Sequence, residues 1–286
     1  MKRYFFLIIM LALVSVVFFR EPIAAIFNAV INREGSSHGL FVPFLSVFFI
    51  WTMRDDIKSI TPRYDLLGIP LMAAAVALTF LAVGNYRFQF LVYILFISGL
   101  IVMMFGRSFF KPVAFPILFL ITMIPIPAQT YEAIANVTRH ISFGGSLGII
   151  SLFGITYLKT GWLIELPNAT LEVAMSCSGI RYLISYFVFG MAYGYLERET
   201  IRARVAILIA VVPISLGAGI LRLTVIFVMT YLFGPKMAQW PHILMSWIVF
   251  FLILILMITL DQALQRRTVS KLPDDKDRVL SAFAKT

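Results

Sequence analysis

The sequence predicts an all-α, polytopic integral membrane protein of about eight transmembrane helices, and three observations predict it. Apolar residues make up 60% of the 286 and charged residues only 13%, against about half and a quarter in an ordinary soluble domain. The mean hydropathy is +0.93. The Lys and Arg residues sit mostly between apolar runs, as in a chain that threads a bilayer. No soluble core of this length absorbs so much apolar sequence. The 27 Phe and 11 Tyr suit lipid contact and interfacial belts.

A spanning helix needs about 20 mostly apolar residues. In order, the candidate spans are 4–31 (only part of it in the membrane), 40–53, 65–84, 88–106, 112–126, 178–196, 205–232 and 242–260. The second and fifth are short. A further apolar stretch, 141–157, contains Gly144, Gly145, Gly148 and Gly154 and is expected to be interfacial or re-entrant. A single transmembrane domain is expected over 1–264, followed by a short polar tail over 265–286. Met1-Lys2-Arg3 ahead of an apolar run resembles a secretory signal, but no A-x-A-type site follows it, so no cleavage is expected.

Cytoplasmic segments are enriched in Lys and Arg, which orients the chain. With both termini inside and eight spans, 16 of the 24 Lys and Arg residues fall on inner segments; the other eight include Arg139, Arg181 and Arg222. A ninth span at 141–157 would carry Arg198, Arg202 and Arg204 to the outside. The net charge of +10 therefore serves topology, and nucleic-acid binding is not expected. The expected location is the cell inner membrane, with the lipid bilayer as a partner.

This topology gathers reactive residues on the outer face. Cys177, the single cysteine, lies at the outer end of the sixth span. Arg222 follows Arg204 by 18 residues, roughly 27 Å along a helix, which reaches the outer interface. His242 opens the eighth span, and His38 lies in the first outer loop. A thiolate is a nucleophile whose pKa falls beside a cation. An imidazole takes and returns the proton, and a buried guanidinium stabilises a developing oxyanion. One cysteine excludes an intrachain disulfide and a multi-cysteine metal cluster; no metal or cofactor is called for.

Each residue also has a plainer reading. Cys177 is equally a small packing residue, and His242 and His38 are an interfacial and a loop histidine. Arg222, a charge within a span, is a functional residue by default, or it snorkels to the headgroups. Arg181, one turn after Cys177, either lowers the thiol pKa or anchors its helix. Glu165 and Glu172 read as solvated loop carboxylates.

At these residues the sequence resembles the exosortase/archaeosortase family. Leu171-Glu172-Val173-Ala174-Met175-Ser176-Cys177-Ser178-Gly179-Ile180-Arg181 is similar to the family's L-E-V-A-x-x-C-S-G-[IL] motif. Ser37-His38-Gly39-Leu40-Phe41-Val42-Pro43 resembles its S-H-G segment, and Met123-Ile124-Pro125-Ile126-Pro127 its M-I-P-[LI]-P turn. Arg222 falls at the arginine of a P-x(5)-N-x-x-R-like helix, and His242, ahead of Trp247 and Phe250, at the family histidine. One departure is Gly219, where the family often has Asn.

The resemblance implies a membrane cysteine transpeptidase or protease. Its partners are exported proteins with a C-terminal sorting signal: a short motif such as Pro-Glu-Pro, a transmembrane helix and a basic cluster. Such enzymes are often found in bacteria making exopolysaccharide. Carried over, Cys177 is the nucleophile, Arg222 the oxyanion stabiliser and His242 the acid/base. His38, Arg181, Ser178, Gly179 and Gly219 are candidate supporting or substrate-binding residues. Gly217, Ala218 and Gly219 admit a substrate's transmembrane helix beside Arg222, or simply pack the bundle. The competing class is a transporter or exopolysaccharide-export component, in which Arg222 and His242 bind an anion and Cys177 is structural.

Overall fold

The computed structural model describes residues 16–32, 37–175, 178–197 and 201–234, with the single positions 248, 251, 255 and 259. The chain divides into two compact units, Met1–Tyr131 and Glu132–Thr286.

In the first unit, α1 (Arg20–Asn32) is followed by a 3-10 turn (Ser37–Leu40), α2 (Phe41–Thr52) and the short α3 (Arg54–Ser59). Then come α4 (Gly68–Leu81), α5 (Tyr86–Phe105) and α6 (Arg107–Phe119), which a 3-10 turn (Leu120–Met123) extends. The side chain of Asn85 caps α5 by accepting from the Phe88 amide at 3.3 Å, supplying one of the partners a helix start lacks. Phe44, Phe80 and Leu81 are 75%, 75% and 79% exposed. Side chains of that size turned outward suit a lipid surround and not water. Hydroxyls on these helices bond back to their own backbone, as Ser98 does to the Ile94 carbonyl at 2.8 Å, since a bilayer offers no water to do so.

The second unit takes in α7 (Ala128–Leu152) from Glu132 onward, then strands β1 (Leu158–Thr160), β2 (Leu163–Leu166) and β3 (Ala169–Glu172), α8 (Ile180–Glu197) and α9 (Ile201–Phe233). The strands form an antiparallel meander, with Thr160 opposite Leu163 and Leu166 opposite Ala169. The sheet turns Ile164, Leu166 and Val173 inward against Phe143, Leu147 and Ile150 of α7 and Leu223, Ile226 and Phe227 of α9. Beyond the sheet, Tyr182 and Tyr186 of α8 pack on Ile207, Val211 and Ala218 of α9. Asn168, in the β2–β3 turn, donates to the carbonyls of Thr230 and Tyr231 at 3.0 and 2.8 Å, supplying partners for carbonyls near the end of α9.

Among the described residues, Tyr86–Phe105 and Ile201–Phe233 are long and apolar enough to cross a membrane. A third candidate arises if Arg107–Met123 and Ala128–Leu152, separated by a bend, count as one broken or re-entrant span. The helix positions follow the expected spans to within a few residues from 40 to 123 and from 178 to 233.

One expectation is corrected. The chain is mostly helical but not all-α, because residues 158–172 form the three-stranded sheet. Strands of three and four residues are too short for alternation to announce them. The stretch 141–157, through Leu152, is the second half of α7, which begins at Ala128, and the bent pair to which α7 belongs fits a re-entrant loop as well as a broken span. Glu165 and Glu172 are exposed, as expected, but lie on β2 and β3 rather than in loops. The last expected span, 242–260, lies almost wholly outside the described residues, as does the tail over 265–286.

Candidate active site

The cysteine motif is the hinge between the sheet and α8. Where β3 ends, the Val173 amide donates to the Trp162 carbonyl at 2.9 Å. The Val173 carbonyl accepts from Nη2 of Arg139, a residue of α7 only 7% exposed. The same guanidinium lies over the Trp162 indole, 3.9 Å from its centroid, a cation–π contact strengthened by removal from water. Val173 is thus held at both its backbone groups.

Past the cysteine the chain is held again. The Ser178 amide donates to the Met175 carbonyl at 3.0 Å, and Ser178 Oγ, fully buried, accepts from the Ile180 amide at 3.4 Å. Gly179 has φ +81, a backbone state in which a Cβ is strained. Its carbonyl accepts from the amides of Tyr182 and Leu183 at 3.0 and 3.1 Å, opening α8.

Gly179 lies against α9. A Cβ built on it would stand 3.5 Å from the Gly219 Cα, 3.6 Å from the Ser215 carbonyl oxygen and 3.9 Å from Ser142 Oγ. A Cβ on Gly219 would meet Ser142 Oγ well inside the 3.0 Å that real Cβ contacts keep. Three elements therefore converge on small residues: α7 at Ser142, the start of α8 at Gly179 and α9 at Gly219. The space a larger residue at 219 would need is taken by Ser142, which accounts for a glycine there.

Arg222 follows Gly219 by one turn. It is 5% exposed, and its guanidinium lies 5.7 Å from the centre of the Tyr182 ring. Two further hydroxyls of this cluster, Ser142 Oγ and Tyr182 OH, are buried with no hydrogen-bond partner among the described residues.

Of the residues singled out from the sequence, Ser178, Gly179, Gly219 and Arg222 come together here. Arg181 belongs to the same helix start but is exposed. Cys177 and His242 lie outside the described residues. His38 lies in the first unit, half-buried in the 3-10 turn before α2. Its neighbour Gly39 approaches Val30 and Met123, where an added Cβ would stand 2.8 and 3.6 Å from their side chains. Two of the motif segments, Ser37–Gly39 and Met123–Pro127, thus meet within that unit.

Arg139, Ser142, Trp162 and Tyr182 carry no motif of their own and emerge only from the fold. Arg139 had one legible signal, a charge between apolar stretches, which topology alone also explains. His140, the remaining histidine, is exposed, with its ring 4.4 Å from that of Trp162.

Comparisons with curated proteins and with solved structures return no match. A family model described as transmembrane exosortase matches residues 30–259. That span takes in the strand leading to the cysteine motif, the small-residue crossing and Arg222, and the chain belongs to the transmembrane exosortase family.

Proposed function

We propose that this protein is a cysteine protease or transpeptidase of the cell inner membrane, acting at the outer face on exported proteins with a C-terminal sorting signal. That signal comprises a short Pro-Glu-Pro-like motif, a transmembrane helix and a basic cluster. The family match over residues 30–259 supports the class of activity. The observation that carries the site is the contact of Gly179 with Gly219. It sets the chain two residues after Cys177 against α9, one turn before Arg222. The Lys and Arg bias supports eight spans with both termini inside.

In this reading the Cys177 thiolate attacks the scissile carbonyl carbon, forming a C–S bond and a tetrahedral oxyanion that Arg222 stabilises. The C–N bond then breaks as His242 gives the departing amine the proton it took from the thiol. A thioester remains. Water attacks it to yield a carboxylic acid, or an acceptor amine to yield a new amide, and the thiol is regenerated in either case.

The decisive experiment replaces Cys177 by Ala and by Ser in the native host, with immunoblots of secreted proteins that carry a C-terminal transmembrane helix. An uncut precursor accumulating beside a normally abundant variant supports Cys177 as nucleophile. Normal processing of every candidate removes the role and favours an anion transporter built around Arg222.

A further inference from the structure

We propose that Arg139 is a positioning residue for Cys177, fixing the point from which the chain leaves the sheet. The proposal deepens the functional reading above and rests on it. Arg139 as a whole residue is 7% exposed, and a buried charge is costly unless its contacts compensate. Two of its contacts are unusual in what they join. Nη2 bonds the carbonyl of Val173, and the guanidinium plane covers Trp162. Trp162 is the residue whose carbonyl accepts the Val173 amide at 2.9 Å. Arg139 therefore closes the open end of the β2–β3 pair, one residue beyond β3 and four before Cys177.

The geometry of the chain turns this clamp into a constraint on the thiol. Cys177 follows Val173 by four residues and precedes Gly179 by two. Gly179 is itself anchored on α9 beside Ser215 and Gly219. Without Arg139 the Val173 carbonyl loses this partner, while its amide stays on Trp162 and its side chain in the core, so the chain beyond it is held less firmly. A nucleophile displaced by about 1 Å loses on the order of 100-fold in rate.

The sheet does not need Arg139 to stay attached. Ile164, Leu166 and Val173 already pack on α7 and α9, and Asn168 ties the opposite end of the hairpin to the end of α9. Removing the guanidinium is therefore expected to free the exit of β3 while the hairpin stays folded. Lys keeps the charge and can still donate, but loses the planar fork that bonds and stacks at once.

The test labels the full chain in its host membranes with N-ethylmaleimide and then isolates it, so that its single cysteine makes the label on the chain report Cys177. Arg139→Lys and Arg139→Gln are compared with wild type for abundance, substrate processing and labelling rate as a function of pH. Both variants are expected at normal abundance, with processing down on the order of 100-fold for Gln and less for Lys. The labelling rate and its pH midpoint should both differ from wild type, because a thiol's reactivity follows its surroundings. Wild-type processing with an unchanged labelling profile overturns the proposal. Loss of both variants from the membrane also overturns it, because Arg139 is then a folding residue. Cys177→Ser separates this from failure of the functional reading. If that variant processes substrate normally the catalytic assignment falls, while the labelling comparison still reads whether Arg139 holds the thiol.

Discussion

Replacing Gly219 by Ala tests the three-way crossing on which the site is built. The new Cβ would overlap Ser142 Oγ and come within 3.3 Å of Ser142 Cβ, and 3.8 Å of the Gly179 Cα. The second distance asks a neighbour to give by only a few tenths of an ångström; the first requires Ser142 to turn or α7 and α9 to part. Ser142 is fully buried, so either adjustment disturbs packed surroundings, and overpacking of this kind costs about 1–3 kcal/mol. At roughly 2–4 °C per kcal/mol for a unit of this size, the melting temperature of the purified protein should fall by about 2–12 °C. Ser142→Ala removes the overlapping atom. Because Ser142 Oγ has no hydrogen-bond partner among the described residues, that change alone should be neutral or stabilising. In the Ser142→Ala background, Gly219→Ala should then cost little, leaving a coupling on the order of 1 kcal/mol or more between directly touching sites. Thermal melts of the four proteins in detergent measure it. An equal loss in both backgrounds, or no loss in either, would refute the packing argument and with it the account of why residue 219 is Gly.

Three more outcomes are expected. Arg222→Ala and His242→Ala should abolish processing at normal abundance, while His140→Ala should retain it; immunoblots of a processed protein decide, and the reverse pattern for the two histidines would move the acid/base role to His140. Tyr182→Phe removes a buried hydroxyl without a hydrogen-bond partner among the described residues, so its melting temperature should hold or rise, and a clear drop would mean the hydroxyl is bonded. Asp65, in the loop before α4, is held below its ordinary pKa of 3.8, first by the Leu67 amide and then by Arg107, whose Nε lies 2.7 Å from its carboxylate. A lowered folded pKa gives stability that is present above the unfolded value and lost as pH falls through the folded one. Asp65→Asn should therefore melt earlier than wild type at neutral pH, and the gap should close in acid; a gap that persists in acid would contradict this.

Most of the helices were legible because their signal is local. An apolar run of about 20 residues bounded by charges has few alternatives, so Tyr86–Phe105 and Ile201–Phe233 could be placed without knowing their neighbours. The S-H-G, M-I-P-I-P, cysteine and arginine segments were legible for a similar reason: their residue types are distinctive in order and spacing. The small sheet was not, although Pro167-Asn168 between two short apolar runs was a turn signal in plain view. Its strands hold three and four residues, and what stabilises them is the surface of α7 and α9 beneath.

The sequence by itself determined the membrane class, most of the described helices and the residue types available for chemistry. These follow from composition and from patterns within single segments. Only the tertiary structure decided which of those residues meet. Arg139 is 34 residues from the carbonyl it holds, and Gly179 and Ser142 reach Gly219 from separate elements. No local pattern encodes such contacts, because they arise where elements far apart in the sequence pack against one another. The physical reason for Gly219 was likewise invisible in the chain around it. The space its side chain would fill belongs to Ser142, a residue on another helix.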